Sequence, residues 1–94
     1  MNFTWINKQG VETENGEVVQ RTGRFTMEYQ KGPKIIEIGV ESGIRGSKSL
    51  ISYSRNDFEK WSKGGSLLSL AEKKQALNTF REALFFQGLV PDEE

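Results

Sequence analysis

The segment from Gly43 to Ser49 has the glycines and the lysine of a possible phosphate-binding loop. Its spacing differs from G-x-x-x-x-G-K-[ST], and a strand rather than a helix is predicted to follow it. The same segment contains G-x-x-G, the backbone clamp of one RNA-binding module, but that clamp joins two helices. We therefore interpret it as a glycine turn with solvated Arg45 and Lys48.

Three carboxylates, those of Glu28, Glu37 and Glu41, are predicted on the outward face of neighbouring strands, with Arg24 nearby. Paired carboxylates perform acid–base chemistry where burial separates their pKa values. An open sheet face offers neither burial nor a pocket. The carboxylates are then either solvated surface charges or an acidic patch that meets a cationic partner.

Several aromatic residues lie on predicted strands, and rows of aromatics can form stacking platforms for single-stranded nucleic acid. Alternation places most of them, among Trp5, Phe25, Tyr29 and Tyr53, on the apolar face, which favours core packing instead. Trp61 lies beside a glycine-rich segment. It is predicted to fill the junction between helix and sheet, or to anchor an interface if it is exposed.

The composition excludes several kinds of chemistry. The chain has 94 residues with 13 Lys+Arg and 13 Asp+Glu, and this balance argues against dominant affinity for the nucleic-acid backbone. With no cysteine and no histidine there is no disulfide, thiolate nucleophile or cysteine zinc site, and the commonest general base is missing. We expect no metal and no cofactor.

Length and hydropathy predict one domain over residues 1–94. The N-terminus lacks the apolar region of a signal peptide, and no window holds the run of apolar residues that a membrane span needs. These features predict a soluble protein of the cytoplasm.

Glycine-punctuated extended segments occupy roughly residues 3–53. Arg24 to Gln30 alternates strictly between apolar and polar residues, and Lys34 to Glu41 directs Ile36, Ile38 and Val40 inward. Asn15-Gly16 suits a type I′ hairpin turn, Lys31-Gly32-Pro33 marks another turn, and Ser42 to Ser47 is predicted to be a loop.

The second half of the chain has helical spacing. A short helix is predicted at about 55–61 and a long one at about 70–87, where Ser69 and Glu72 form a capping box. An apolar stripe includes Leu70, Leu77, Phe80 and Leu84. Gly88 and Pro91 end the helix, and residues 89–94 are predicted to be a frayed acidic tail.

Together these segments predict an α+β fold. We expect an antiparallel, meander-like sheet of four to five strands, with the short helix and the long C-terminal helix packed on one face. The other face of the sheet stays open unless a partner covers it.

The order of several motifs indicates a resemblance to a known protein family. They are Tyr29-x-x-Gly32 with Ile36 and Glu41, then Tyr53, Phe58-x-x-Trp61, Ser69-x-x-Glu72-Lys73 and Ala83-Leu84-x-Phe86-x-Gly88. Over residues 25–88 the chain resembles a family of small α+β immunity proteins, which are encoded beside toxins in bacterial polymorphic and contact-dependent growth inhibition systems. In that family a proline often follows the tryptophan, whereas Ser62 and Lys63 do so here.

The resemblance implies binding and neutralisation of a cognate toxin, possibly a nuclease, without catalysis by this chain. The contact candidates are Glu28, Glu37, Glu41, Arg24 and Trp61. One alternative is a single-stranded nucleic-acid-binding module, which needs Arg24, Arg45, Lys48 and exposed aromatics on one surface. Another is an enzyme that uses only Lys, Arg, Glu, Tyr and Ser side chains. Oligomeric state and strand order stay open.

Overall fold

The structure, a computed structural model, describes residues 1–94. Its fold is α+β. It has seven strands, one 3₁₀ helix and one α-helix. The strands are β1 (Phe3–Asn7), β2 (Gly10–Thr13), β3 (Glu17–Gly23), β4 (Thr26–Lys31), β5 (Lys34–Arg45), β6 (Lys48–Tyr53) and β7 (Val90–Glu93). The 3₁₀ helix covers Arg55–Phe58, and α1 covers Leu70–Phe86.

The strands lie side by side in chain order and form one sheet that curls into a half-barrel. Neighbours pair antiparallel from β1 to β6, but β6 and β7 are parallel, from Leu50↔Val90 to Tyr53↔Glu93. The prediction of four to five purely antiparallel strands is therefore wrong. Because α1 connects β6 to β7 as a crossover, the chain returns in the same direction and adds a parallel strand.

The residues predicted to be a frayed acidic tail, 89–94, include the whole of β7. Their polar groups have partners: Ser52 Oγ donates to Asp92 Oδ2 at 3.0 Å, and Arg81 Nη2 donates to Glu93 Oε1 at 2.9 Å. The backbone N–H of Glu94 also donates to the Tyr53 carbonyl at 2.8 Å. These contacts, rather than the local sequence, keep the C-terminal segment extended against β6.

The twelve-residue strand β5 joins the two halves of the sheet. Its first half pairs with β4 and its second half with β6, so the sheet turns where the partner changes. The predicted loop over residues 42–47 is strand as far as Arg45. Gly43 lies under Leu50, whose Cδ1 would be 3.3 Å from an added Cβ, and Gly46, with φ of +64°, makes the turn instead.

The inner face of the half-barrel packs against α1 and forms the core. The alternation predicted for β4 is confirmed by the burial of Met27 and Tyr29, and that of β5 by the burial of Ile36, Ile38 and Val40. Phe25 and Trp5 were predicted among the core aromatics, but they are 60% and 49% exposed. Phe25 precedes β4 in a turn and Trp5 lies on an edge strand, so neither is covered by neighbouring strands on both sides.

The boundaries predicted for the long helix are confirmed to within one residue. Ser69 Oγ accepts from the Glu72 N–H at 3.1 Å, and Glu72 Oε1 accepts from the Ser69 N–H at 2.8 Å, which completes the capping box. Gly88, with φ of +80°, follows the C-cap. Leu70, in the first turn, is exposed rather than part of the buried stripe, which consists of Ala76, Thr79, Phe80, Ala83 and Leu84. Neither helix combines the length and the apolar character that a membrane span requires.

The predicted short helix ends early, at Phe58, and the chain then runs irregularly along the free edge of β5. The Ile35 N–H donates to the Lys63 carbonyl at 3.0 Å. Two glycines make this close approach possible. A Cβ on Gly64 would lie 2.4 Å from the Pro33 carbonyl oxygen, and one on Gly65 would lie 2.7 Å from the Trp61 ring.

The first hairpin differs from its prediction. Gly16 has φ of +84° and its N–H donates to the Thr13 carbonyl at 3.0 Å, but Asn15 does not have the positive φ that a type I′ turn requires. The connection is therefore a three-residue loop.

Candidate partner-binding surface

Two glutamates lie directly opposite each other on the outer face of the sheet: Glu28 of β4 and Glu37 of β5. The Val40 N–H donates to the Phe25 carbonyl at 2.9 Å, which fixes the alternation of the ladder and makes Glu28↔Glu37 a non-hydrogen-bonded pair. In agreement, the Glu37 N–H points away from β4 and donates to Ser62 Oγ at 2.9 Å. Residues in such pairs approach most closely, so two like charges are held side by side.

Further carboxylates extend this surface along β5. Glu41 lies opposite Ser52, whose other neighbour across the sheet is Asp92 of β7. Asp57 Oδ2 accepts from the Gly39 N–H at 3.0 Å, which brings its carboxylate to the middle of β5. We call this set the acidic face: Glu28, Glu37, Glu41, Asp57 and Asp92.

The acidic face takes no part in the ion pairs of the molecule. These are Lys34–Glu72 at 3.4 Å, Arg55–Glu93 at 4.0 Å, Lys73–Glu59 at 2.5 Å and Arg81–Glu93 at 2.9 Å. All four involve α1, β7, or segments packed against them. Lys+Arg and Asp+Glu balance over the whole chain. Because no basic side chain pairs with the carboxylates of the acidic face, they give this surface a negative electrostatic potential.

A shallow cavity of about 350 Å³ adjoins the acidic face. Phe25 lines it together with Glu41, Ser52 and Glu94. The Arg24 guanidinium carbon lies 5.2 Å from the centroid of the Phe25 ring, a cation–π distance. An exposed aromatic ring with carboxylates around it suits a cationic side chain, since the ring and the carboxylates both attract positive charge.

Of the five predicted contact residues, four lie on or beside the acidic face and one is buried. Glu28, Glu37 and Glu41 lie on the acidic face, and Arg24 lies beside Phe25 at its rim. Trp61 is only 5% exposed and belongs to the core.

The surroundings of Trp61 explain its burial. Its ring stacks on Tyr29 with the centroids 6.2 Å apart, and Lys34 Nζ lies 5.4 Å from its centroid. Trp61 therefore fills the junction between the irregular segment and the sheet, and we leave it out of the candidate surface.

A second group of polar residues, on the inner face, was not predicted. Glu17 is 2% exposed, and its carboxylate accepts hydrogen bonds from the Tyr29 hydroxyl, from Thr79 Oγ1 at 3.1 Å and from Gln75 Nε2 at 3.2 Å. Burial, and then the hydrogen bond to Glu17, raises the pKa of Tyr29 well above its ordinary value. We call these four residues the Glu17 cluster.

The Glu17 cluster connects α1 to β3 and β4. Both carboxylate oxygens of Glu17 have donors, as buried carboxylates require. The sequence indicates this inward position, because Glu17 lies two residues before Val19 and alternate residues of a strand share one face. The cluster adjoins a cavity of about 440 Å³ that Lys31 and Glu72 also line.

No group of three or more acidic side chains is arranged to hold a metal ion. Comparison of the chain with protein-family models, with curated proteins and with solved structures gives no significant match.

Proposed function

We propose that this protein is an immunity protein that binds a cognate bacterial toxin in a stoichiometric complex. It blocks the active or substrate-binding surface of the toxin and performs no catalysis itself. The observation that carries the proposal is the acidic face, whose carboxylates lie together on neighbouring strands and on the adjoining 3₁₀ helix, and none of which forms an ion pair within the molecule. The resemblance over residues 25–88 supplies the class of partner.

The chemistry of the acidic face favours a cationic partner surface. A toxin that cleaves nucleic acid needs positive charge along its substrate cleft, and carboxylates placed opposite that cleft accelerate encounter and fix the register of the complex. A specific interface buries about 800 Å² per partner, which the outer face of a domain of this size can supply.

Phe25 is the best candidate for an energetic centre of this interface. It is a large aromatic residue, 60% exposed, beside the cavity that Glu41 lines. Aromatic residues that become fully buried contribute most to binding free energy, while surrounding charges contribute mainly to orientation and to the association rate.

The alternative function, binding of single-stranded nucleic acid, fits the charges of this surface less well. It needs phosphates to approach Phe25 and Arg24, and the carboxylate of Glu41 lies at the cavity that Phe25 lines. Repulsion between carboxylates and phosphates opposes that approach.

The proposed site of action is the cytoplasm, where a toxin of this type would meet nucleic acid. Binding needs no disulfide, so the chain is suited to a reducing compartment.

The experiment combines growth rescue with direct binding. The protein is co-expressed with the toxin encoded beside its gene, and the purified pair is examined by size-exclusion chromatography. We expect rescue and a 1:1 complex, with an association rate that falls as salt concentration rises.

Charge reversal then locates the surface. Glu37→Lys together with Glu41→Lys should weaken binding by about a hundredfold. Glu82→Lys makes the same kind of charge change at an exposed helix residue without an ion pair and should leave binding unchanged. Absence of rescue and of a complex would refute the toxin-binding proposal. Equal binding by all variants would refute the acidic face as its surface.

A further inference from the structure

The hairpin of β5 and β6 extends beyond the strand next to it. The pairing of β4 with β5 ends at Gly39, whereas the pairing of β5 with β6 continues to Arg45. Ser42 and Ile44 lie in this extension, on the same face as the buried Val40, because alternate residues of a strand share one face. Ile44 is 79% exposed, so the chain leaves most of this aliphatic side chain uncovered.

A cavity of about 660 Å³ lies beside this extension, and its volume is within the range of small-molecule sites. Its apolar lining is entirely aliphatic and consists of Ile44, Leu50, Ile51 and Leu89. Leu89 belongs to the connection between α1 and β7. The cavity therefore lies where the extended hairpin meets the end of the helix.

Arg21 is the only charged residue that lines the cavity. It lies opposite Met27, a core residue of β4, so its side chain also starts on the inner face of the sheet. Arg21 takes no part in the ion pairs of the molecule, and no acidic residue lines the cavity. The cavity therefore has one positive charge that no carboxylate of the protein neutralises directly.

Hydrogen bonds within the protein fix the Arg21 guanidinium and leave part of it free. Its Nε donates to the Gly23 carbonyl at 3.1 Å, and its Nη2 donates to Ser42 Oγ at 3.0 Å and to the Arg24 carbonyl. The N–H groups of Nη1 have no acceptor in the protein. A carboxylate oxygen beside Nη1 would accept a charge-assisted hydrogen bond, which is stronger than a neutral one.

We propose that this cavity binds an aliphatic monocarboxylate of the size of a medium-chain fatty acid. The carboxylate accepts from Arg21 Nη1, and the alkyl chain lies along Ile44 and Leu89. The unpaired positive charge favours an anion, and the aliphatic lining, which offers no ring for stacking, favours an alkyl chain over an aromatic ligand. Because the alkyl chain would cover the exposed side chain of Ile44, burial of apolar surface also favours binding.

This site is independent of the proposed function. Glu41 and Ser42 are consecutive residues of β5, so their side chains project to opposite faces of the sheet. The monocarboxylate would occupy the inner side of the hairpin extension, and the acidic face would stay free to bind a toxin. Failure of either binding experiment would therefore leave the other proposal in place.

Isothermal titration calorimetry of the full chain with sodium decanoate, kept below its micelle concentration, tests the proposal. We expect saturable binding of one decanoate per chain. Decyltrimethylammonium has the same alkyl chain and the opposite charge, so it should bind at least about tenfold more weakly. Trileucine has a carboxylate and aliphatic groups, but it should also bind more weakly, because its peptide groups would lose water without gaining partners.

Two variants with matched controls locate the site. Arg21→Gln should weaken decanoate binding by about tenfold, whereas Lys74→Gln, near the opposite end of α1 from Leu89, should leave it unchanged. Ile44→Ser should also weaken it by about tenfold, whereas Leu67→Ser, at another exposed aliphatic residue, should not.

Four results would overturn the proposal. They are absence of saturable binding up to about 1 mM decanoate, equal binding of decanoate and decyltrimethylammonium, tighter binding of trileucine, and unchanged binding of decanoate by Ile44→Ser. Because Ile44 is exposed, its variant decides the question even if Arg21→Gln fails to fold.

Discussion

The inner and outer faces of the same sheet place their glutamates in opposite environments. On the inner face Glu17 is buried and three side chains donate to its carboxylate. On the outer face Glu28 and Glu37 lie side by side without a basic partner. The first arrangement stabilises the fold, because removal of the carboxylate would leave buried donors unpaired. The second costs stability, since like charges directly opposite each other repel. A charge pair that opposes folding is consistent with a use outside the folding of the chain itself.

The largest effect expected from this comparison is the loss of the buried carboxylate. Glu17→Ala should lower the free energy of unfolding by about 2–4 kcal/mol, because it creates a cavity and leaves the Tyr29 and Thr79 hydroxyls without an acceptor. Urea denaturation followed by circular dichroism measures the change. Glu82→Ala, on the exposed side of α1, should change it by less than about 0.5 kcal/mol. Similar values for the two variants would contradict the role assigned to the Glu17 cluster.

High pH tests the inner face in a different way. Burial raises the pKa of both Tyr29 and Tyr53 above the ordinary value of 10.0, so each keeps its proton longer in the folded state than in the unfolded state. Folding is therefore stabilised fully below pH 10. Above pH 10 this stability is lost as the pH rises, because the two tyrosines release their protons in the unfolded state but keep them in the folded state. The free energy of unfolding should fall by about 1 kcal/mol or more per pH unit.

Tyrosinate absorbance checks this expectation directly, because Tyr29 and Tyr53 are the only tyrosines. In the native protein it should increase only together with unfolding, whereas the urea-unfolded chain should titrate near pH 10. Smooth titration of the folded protein near pH 10 would show that the inner face is open to water.

The smallest effect concerns the outer face. Glu28→Gln should increase the free energy of unfolding by about 0.3–1 kcal/mol, since it removes the repulsion from Glu37. The gain should shrink as salt is added, because salt screens exposed charges. Gln20→Glu is the reverse experiment: residue 20 lies opposite Glu28 on the other side, so the added charge should destabilise. A loss of stability in Glu28→Gln would contradict the repulsion.

Local patterns in the sequence predicted the parts of the fold that local forces determine. The capping box at Ser69, the positive φ at Gly88 and the inward alternation of Ile36 and Ile38 depend on nearby residues. The strand β7 does not, because its pairing with β6 connects residues forty positions apart. Its acidic composition resembles a solvated tail until Ser52 and Arg81 are seen beside it.

The candidate surface was predictable in part for the same reason. Strand alternation was enough to place Glu28, Glu37 and Glu41 outward, but it does not show that ion pairs elsewhere leave them unpaired. Trp61 fills the junction predicted for it and is too buried to be a contact residue, whereas Phe25 is exposed although core packing was expected for it. A glycine-rich segment folds over the first, and a turn carries the second out of the sheet.

The parallel pairing of β6 and β7 bears on the order in which the chain folds. The strands from β1 to β6 can form by successive hairpins, each of which closes only a short loop. The β6–β7 pairing must wait until α1 has crossed the sheet, because it closes a far longer loop. We therefore expect amide protons in β7 to acquire protection from hydrogen exchange last, and the dipeptide Val90-Pro91 to be the final piece of the sheet to assemble.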